Sequence, residues 1–149
     1  WFDWDLLRKN ADVHRFVKHL IEARQRRDLS REDPGLTLNQ LLERGRIQWH
    51  GARLNQPDWG NHSRSLALTA LSLKSRFMVH LMVNAYWEAL SFELPPLPDT
   101  SPAGWQRWID TSLDTPDDIW SLGEAPQVQE RAYLVQPRSI VILILLRGL

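Results

Sequence analysis

The stretch Ser65–Pro96, SLALTALSLKSRFMVHLMVNAYWEALSFELPP, decides the fold because it holds three apolar segments separated by short polar breaks. The breaks fall at Lys74–Arg76 and Asn84–Glu88. Pro95 and Pro96 end the third segment, since proline removes a backbone donor. Apolar residues that alternate with polar ones are typical of strands. The stretch therefore predicts three consecutive strands in an antiparallel meander.

The middle segment, Phe77–Asn84, shows which side of this sheet should be buried. Successive side chains of a strand point to opposite faces, so the apolar positions from Phe77 to Val83 share one face. His80 and Asn84 fall on the other face with the two methionines. We expect the apolar face to be the core. The predicted core residues are Leu81, Val83, Phe92, Val141 and Leu143.

Residues 1–45 are predicted to be a helical segment. A stripe of apolar side chains recurs at spacings of three and four, which predicts an amphipathic helix. The Thr37–Gln40 pattern is a capping box and predicts a short second helix that stops at Gly45. The stripe consists of Val13, Phe16, Val17, Leu20 and Ile21.

Residues 46–149 are predicted to form a second domain made of short strands. Ile140–Leu146 is apolar on both faces, which predicts a central strand that is covered on both sides. Ala132–Gln136 and the strand from Ser139 should form the last hairpin. The fold class is mainly β. We expect a Greek-key-like antiparallel β-sandwich of about seven or eight strands with an N-terminal α-helical appendage.

Composition argues against several classes of partner and cofactor. Lys and Arg number 18, as do Asp and Glu, so no net charge attracts nucleic acid or a membrane surface. The absence of cysteine rules out thiolate sites and fits a reducing compartment, so we expect a cytoplasmic location. His14 and His19 are five residues apart and do not share a helical face as metal ligands would. No cofactor is expected.

The eight tryptophans are the feature that could bind a ligand, because an indole ring can stack on the apolar face of a sugar. Trp59, Trp87 and Trp120 lie in predicted loops and are the candidate contacts for a glucan. The alternative is packing, because tryptophan is usually well buried.

Several longer sequence segments resemble segments of isoamylase-type glycogen debranching enzymes, which belong to the α-amylase superfamily of glycoside hydrolases. Residues 1–7 and 11–27 resemble the end of the catalytic (β/α)8 barrel and its last helix. Five later phrases resemble the C-terminal β-sandwich that follows the barrel. They are IQWHG (47–51), QPDWGNHSRSLAL (56–68), HLMVNAYWEALSFELP (80–95), WQRWIDTSLDTPDDI (105–119) and YLVQPRSIVIL (133–143).

The resemblance implies a parent enzyme that hydrolyses α-1,6 branch linkages of glycogen or a related α-glucan. It also implies that the catalytic carboxylates lie on barrel strands upstream of Trp1, so no catalytic residue is expected in this chain. The acidic pairs that are present, such as Asp110/Asp114 and Asp117/Asp118, occur in turn-like segments where aspartate bonds its own backbone.

Two functions follow as expectations. The first is an accessory domain that stabilises or shields the barrel of the same polypeptide. The second is an α-glucan-binding module built on exposed tryptophans. Without the barrel, the apolar helix stripe would lack a partner, so self-association through it is also expected.

Overall fold

The computed structural model describes residue 1 and residues 3–26, 46–71, 77–97 and 104–146. The predicted helix at 37–44 and the predicted turn at Lys74–Arg76 lie outside these ranges. The helices are α1 (Asp5–Lys9) and α2 (Ala11–Arg26). The strands are β1 (Arg46–His50), β2 (Ser65–Leu71), β3 (Phe77–Asn84), β4 (Leu90–Glu93), β5 (Trp105–Asp110), β6 (Gln127–Val128), β7 (Ala132–Val135) and β8 (Ser139–Leu146). Neither helix is long and apolar enough to cross a membrane.

The strands form a six-stranded antiparallel sheet, in the order β1-β2-β3-β8-β5-β6, and a two-stranded sheet of β4 and β7. The predicted sandwich with an N-terminal helical segment is confirmed. β8 lies between β3 and β5, as its apolar run predicted. The predicted meander and last hairpin are wrong. β4 leaves β3 to pair with β7, and β7 and β8 lie in different sheets, because the chain crosses the sandwich at both connections.

The core lies between the two sheets. Met82 of β3 is opposite Ala67 of β2 and Val141 of β8, so the three side chains share the inner face of the large sheet. The small sheet covers this face with Phe92 and Val135, and both are fully buried. The buried cluster comprises Ala67, Met82, Phe92, Leu94, Trp105, Val135, Val141, Leu143 and Leu145.

The predicted facing of β3 is wrong. Phe92, Val141 and Leu143 are core residues as expected, but Leu81 and Val83 are only half-buried and lie on the outer face. The inner face instead carries Met82 together with polar side chains. This reversal is tolerated because Asn84 and the Nδ1 atom of His80 are hydrogen-bonded, which lowers the cost of burying them. His80 Nε2 is buried without a hydrogen-bond partner among the described residues.

Asn84 shows how one inward polar side chain is satisfied. Its Nδ2 donates to the carbonyl oxygens of Glu88 (2.8 Å), Val135 (3.1 Å) and Gln136 (3.1 Å). Its Oδ1 accepts a hydrogen bond of 2.9 Å from the Tyr86 N–H. Asn84 therefore ties the end of β3 to the following loop and to β7 of the small sheet.

A second tie between the sheets is made by Asp110, which is buried at the end of β5. The Tyr133 hydroxyl of β7 donates to its Oδ2 at 2.8 Å, and the Ser112 N–H and hydroxyl donate to its Oδ1. Burial raises the pKa of Tyr133 to about 12, and Asp110 adds to that rise. The phenol is therefore protonated and able to donate at neutral pH.

Inside the sandwich, His50, Thr69 and His80 form a buried chain of hydrogen bonds. The Asn55 N–H donates to His50 Nδ1 at 2.9 Å, so His50 carries its proton on Nε2, which lies 2.9 Å from Thr69 Oγ1. The Thr69 hydroxyl lies 3.0 Å from His80 Nδ1 and can donate to it. Burial lowers the pKa of His80 to about 3, with a further lowering from His50. Burial also lowers the pKa of His50.

Helix α2 packs on the sandwich beside β5, mainly through one side of the helix. Arg15 forms an ion pair with Asp118, and Ala23 is buried. Further along the helix, His19 lies beside Trp108 and Trp120. This side of α2 is about a third of a turn from the apolar stripe predicted from the sequence, since each residue advances about 100°. The predicted helix is confirmed, but the side on which it docks is the mixed polar one.

The facing of β3 can be tested by two substitutions on neighbouring residues. Met82→Ala should lower the free energy of unfolding by about 2 to 5 kcal/mol, because it removes a fully buried side chain and leaves a cavity. Leu81→Ala should cost roughly 1 kcal/mol, because Leu81 is only half-buried. Urea unfolding monitored by tryptophan fluorescence measures both. A larger loss for Leu81→Ala would reverse the assigned facing.

The buried histidines predict a loss of stability in acid. Their pKa values are lowered in the folded state, so the unfolded chain binds more protons below its pKa of about 6.5. The stabilising contribution of the neutral histidines is fully present above pH 6.5. On acidification, the free energy of unfolding falls by up to about 1.4 kcal/mol per pH unit for each additional proton that the unfolded chain binds.

Urea unfolding between pH 7 and pH 4 should show this slope in the wild type and a shallower one in His80→Leu. The variant lacks one of the two histidines that bind a proton on unfolding in acid. We expect it to be less stable than the wild type at pH 7, because it loses the hydrogen bond to Thr69. His62→Gln is the matched control, because His62 is exposed, and it should keep the wild-type slope. Equal slopes in the wild type and His80→Leu would refute the account.

Candidate interaction surface

The outer face of the large sheet is apolar and is only partly covered. By register, the residues that pair across β1, β2, β3 and β8 on this face are consistently aliphatic or aromatic. Toward β5 the face is closed, since Ile144 is fully buried there. Toward β1 it opens, and Ile47 is 54% exposed. The half-buried members are Leu66, Leu68, Ala70, Phe77, Val79, Leu81, Val83 and Ile142.

The helix presents a second apolar surface. Val13, Val17, Leu20 and Ile21 are exposed, and Phe16 is half-buried at the border of the docked side. The Arg15 and Ala23 contacts hold α2 so that Val17, Leu20 and Ile21 stay exposed. Val13 and Phe16 line a cavity shared with residues of the 111–118 loop. Apolar patches of this kind usually mark a surface that contacts another protein or domain.

Trp59 is the most open of the three candidate glucan contacts, with 65% of its surface exposed. It lines a shallow groove of about 320 Å³ together with Asp58, Ser63 and Arg64. Trp49 meets it edge-on, with the ring centroids 5.5 Å apart and the planes at 71°. Trp59 therefore projects from its loop at the open end of the outer face.

The loop that carries Trp59 is held in place by local hydrogen bonds. Gly60 donates its N–H to Asp58 Oδ1 at 2.9 Å, and Ser63 donates its N–H to the Gly60 carbonyl at 2.9 Å. At the start of the loop, a Cβ on Gly51 would lie 2.4 Å from the Gln56 carbonyl oxygen, so only glycine fits there. The loop is thereby anchored to the end of β1.

Trp87 is 56% exposed but already has partners within the protein. Tyr86 stacks on it with ring centroids 4.2 Å apart, and the Arg64 guanidinium carbon lies 5.0 Å from its ring centroid. A cation over an indole ring is favourable. Arg64 thus connects Trp87 to the groove that contains Trp59.

Trp120 lies elsewhere. Its backbone N–H donates to the Trp108 carbonyl at 3.0 Å, which places it beside β5, and its half-buried ring lies beneath α2. Its indole N–H is buried and makes no hydrogen bond within the described residues. β5 and β2 are three strand spacings apart in the sheet, or about 14 Å. The structure therefore groups Trp59 with Trp87 and separates Trp120 from both.

Two residues of this surface were not predicted from the sequence. Trp49 was not among the proposed ligand contacts because it lies in a strand, yet it is 42% exposed and supports Trp59. Arg64 carries no recognisable signal in the sequence, because a single arginine before a strand forms no pattern. Neither could be recognised without knowing which end of the outer face is open.

The described residues contain no metal-binding cluster. No group of three or more His, Asp or Glu side chains among them could hold a metal ion. Two of the carboxylates have partners within the domain. Asp118 forms an ion pair with Arg15, and Asp110 accepts hydrogen bonds from Ser112 and Tyr133. Asp114 and Asp117 are exposed turn residues.

One protein family and several known proteins are similar to this chain. The family described as "Isoamylase 1-3, C-terminal" matches residues 48–141. Isoamylase 3, chloroplastic, of Oryza sativa subsp. japonica is 28% identical over 144 residues, which is 95% of this chain. Isoamylase 1, chloroplastic, of Arabidopsis thaliana is 30% identical over 120 residues, or 79% of the chain. Isoamylase SU1, chloroplastic, of Zea mays is 26% identical over 127 residues, or 83% of the chain.

The aligned segments cover 16% of the rice protein and 14% of the Arabidopsis and maize proteins, so this chain matches a small part of each relative. The relatives correct one expectation. A cytoplasmic location was expected, but these relatives are all named chloroplastic, which points to a plastid. The absence of cysteine misled because it reports redox conditions and does not distinguish one reducing compartment from another.

Proposed function

Because the chain belongs to the family of isoamylase 1–3 C-terminal domains, we propose that it is the non-catalytic accessory domain of a plastid debranching enzyme. The domain packs on the catalytic barrel of the same polypeptide and stabilises it. The parent enzyme hydrolyses α-1,6 branch linkages of an α-glucan. The observation that carries this proposal is the outer face of the large sheet, which is apolar and only half-buried.

Energetics support a covered outer face. Apolar surface removed from water contributes about 25 cal/mol per Å², so a face of many half-buried aliphatic residues can stabilise an interface considerably. The sequence places its most apolar alternation on this outer side of β3, and the inner side carries His80 and Asn84. This pattern is expected when both sides of a sheet are buried in the complete protein.

The position of α2 supports the same arrangement. Its mixed side contacts this domain, and Val17, Leu20 and Ile21 of its apolar stripe are exposed. A helix with an apolar stripe needs a surface to bury it against. We assign that stripe to the barrel, as the resemblance to the last barrel helix implies. In the isolated chain the stripe of Val13, Phe16, Val17, Leu20 and Ile21 is available to a second copy, which is our proposal for self-association.

A glucan-binding module is the second candidate, and the exposure of Trp59 favours it. A module of this kind presents two or more coplanar rings to solvent. Here the Trp49 and Trp59 planes meet at 71°, and Trp120 lies under α2. The accessory role is therefore better supported as the main function.

The accessory role predicts that the outer face contributes to the stability of the complete enzyme. In a polypeptide that joins this chain to its barrel, Leu81→Glu should lower the free energy of unfolding by at least about 2 kcal/mol, because it places an unpaired charge in the interface. Thermal and urea unfolding measure the change.

Leu134→Glu is the matched control, because Leu134 is 56% exposed on the small sheet and lies away from the outer face. It should change the stability of the complete enzyme little. In the isolated chain, Leu81→Glu should lower the free energy of unfolding only modestly, because Leu81 is half-buried, and Leu134→Glu should lower it little. Equal effects of the two variants in the complete enzyme would rule out packing through the outer face.

The non-catalytic role predicts that this chain alone releases no reducing ends from glycogen or amylopectin. A reducing-sugar assay at high protein concentration measures this, with a complete isoamylase as the positive control. Release that is abolished by Asp114→Asn or Asp117→Asn would instead assign a catalytic carboxylate to this domain.

A further inference from the structure

The groove beside Trp59 combines an open aromatic surface with polar groups, which is unusual on the otherwise apolar outer face. Trp59 forms one wall, and Asp58, Ser63 and Arg64 contribute polar side chains around it. Leu66 and Val83 form the apolar floor and connect the groove to the outer face of the sheet. A surface meant only for domain packing would not need this polar rim.

The groove is preformed. The hydrogen bonds from Gly60 to Asp58 and from Ser63 to Gly60 fix the loop, and the Ser63 hydroxyl donates to the Ser65 carbonyl at 3.3 Å. Trp49 supports the Trp59 ring edge-on and can cover at most one of its faces. A ring held in this way loses little conformational entropy when a ligand stacks on it.

The chemistry of the groove fits a neutral, polyhydroxylated ligand. Asp58 accepts hydrogen bonds and Arg64 donates them. The Ser63 hydroxyl, which donates to the Ser65 carbonyl, can accept as well, so the rim matches hydroxyl groups of either role. One acid and one base balance in charge, which argues against an anionic ligand. The indole ring offers an apolar surface of the size of a sugar ring.

We propose that the groove between Trp59 and Arg64 binds a glucosyl unit of a linear α-glucan, with the sugar stacked on Trp59 and its hydroxyls bonded by Asp58, Ser63 and Arg64. The choice of α-glucan over another sugar rests on the proposed function. The groove is a subsite of an accessory domain and does not need the coplanar rings of a free-standing module. It lies at the open end of the outer face, where a chain of the polymer can pass beside the barrel.

Binding can be measured directly with this 149-residue chain by isothermal titration with maltoheptaose. The wild type should show saturable binding, and Trp59→Ala should weaken it at least about tenfold. Trp59→Phe should recover part of the affinity, because phenylalanine keeps a smaller stacking surface. Trp1→Ala is the matched control and should bind as the wild type does, because Trp1 is a fully exposed tryptophan outside the groove.

Cellohexaose tests whether the groove prefers the α-linked chain, and it should bind more weakly than maltoheptaose. Absence of saturable binding by the wild type would overturn the proposal. Equal affinities of the wild type and Trp59→Ala would overturn it as well. Because Trp59 is mostly exposed, the substitution should leave the fold intact, and an unchanged near-ultraviolet circular dichroism spectrum outside the lost indole signal confirms this.

One further measurement separates this proposal from the accessory role. In the complete enzyme, Trp59→Ala should leave stability nearly unchanged, whereas Leu81→Glu should lower it. If Trp59→Ala destabilises the complete enzyme as much as Leu81→Glu does, Trp59 belongs to the barrel interface and the glucan subsite is refuted. If Leu81→Glu has no effect while maltoheptaose still binds at Trp59, the packing proposal fails and the subsite stands.

Discussion

The structure depends on the burial of polar side chains on the inner face of β3. His80 and Asn84 point between the sheets, where an unpaired polar group would cost about 1 to 3 kcal/mol. Asn84 meets this requirement by bonding carbonyls of the neighbouring loop and of β7. The small sheet is thus held to the large one at a defined position by polar contacts as well as by Phe92 and Val135. Hydrophobic packing alone would leave the offset between the sheets less well specified.

This choice of inner face determines what the outer face can be. Because side chains alternate, the positions from Phe77 to Val83 that are strongly apolar must point outward. The outer face is only half-buried in this chain, and an exposed apolar patch marks an interaction surface or favours aggregation. The proposed packing on the barrel would cover this face. The polar interior and the accessory role are therefore linked through the geometry of a single strand.

The sequence predicted the elements better than their arrangement. Strand positions, the central place of β8 and helix α2 followed from periodicity, because each is a local property of a run such as Ile140–Leu146. The facing of β3 was predicted wrongly because hydropathy ranks faces by apolarity and cannot register hydrogen bonds from distant residues. The pairing of β4 with β7 depends on a crossover that leaves no local pattern. Trp59 was identified from its loop, but its grouping with Arg64 required the fold.

Helix α2 resembles the large sheet in that polar side chains contact the rest of the domain while apolar side chains remain exposed. Its docked side contributes an ion pair between Arg15 and Asp118 and little apolar area, so its attachment to the sandwich is specific without being strong. Its apolar stripe offers much more burial to whatever lies on the other side. In the proposed arrangement, the helix and the outer sheet face both bury their larger apolar surfaces against the barrel. If the barrel covers these surfaces as proposed, the free energy of the shared interface adds to the stability of both parts.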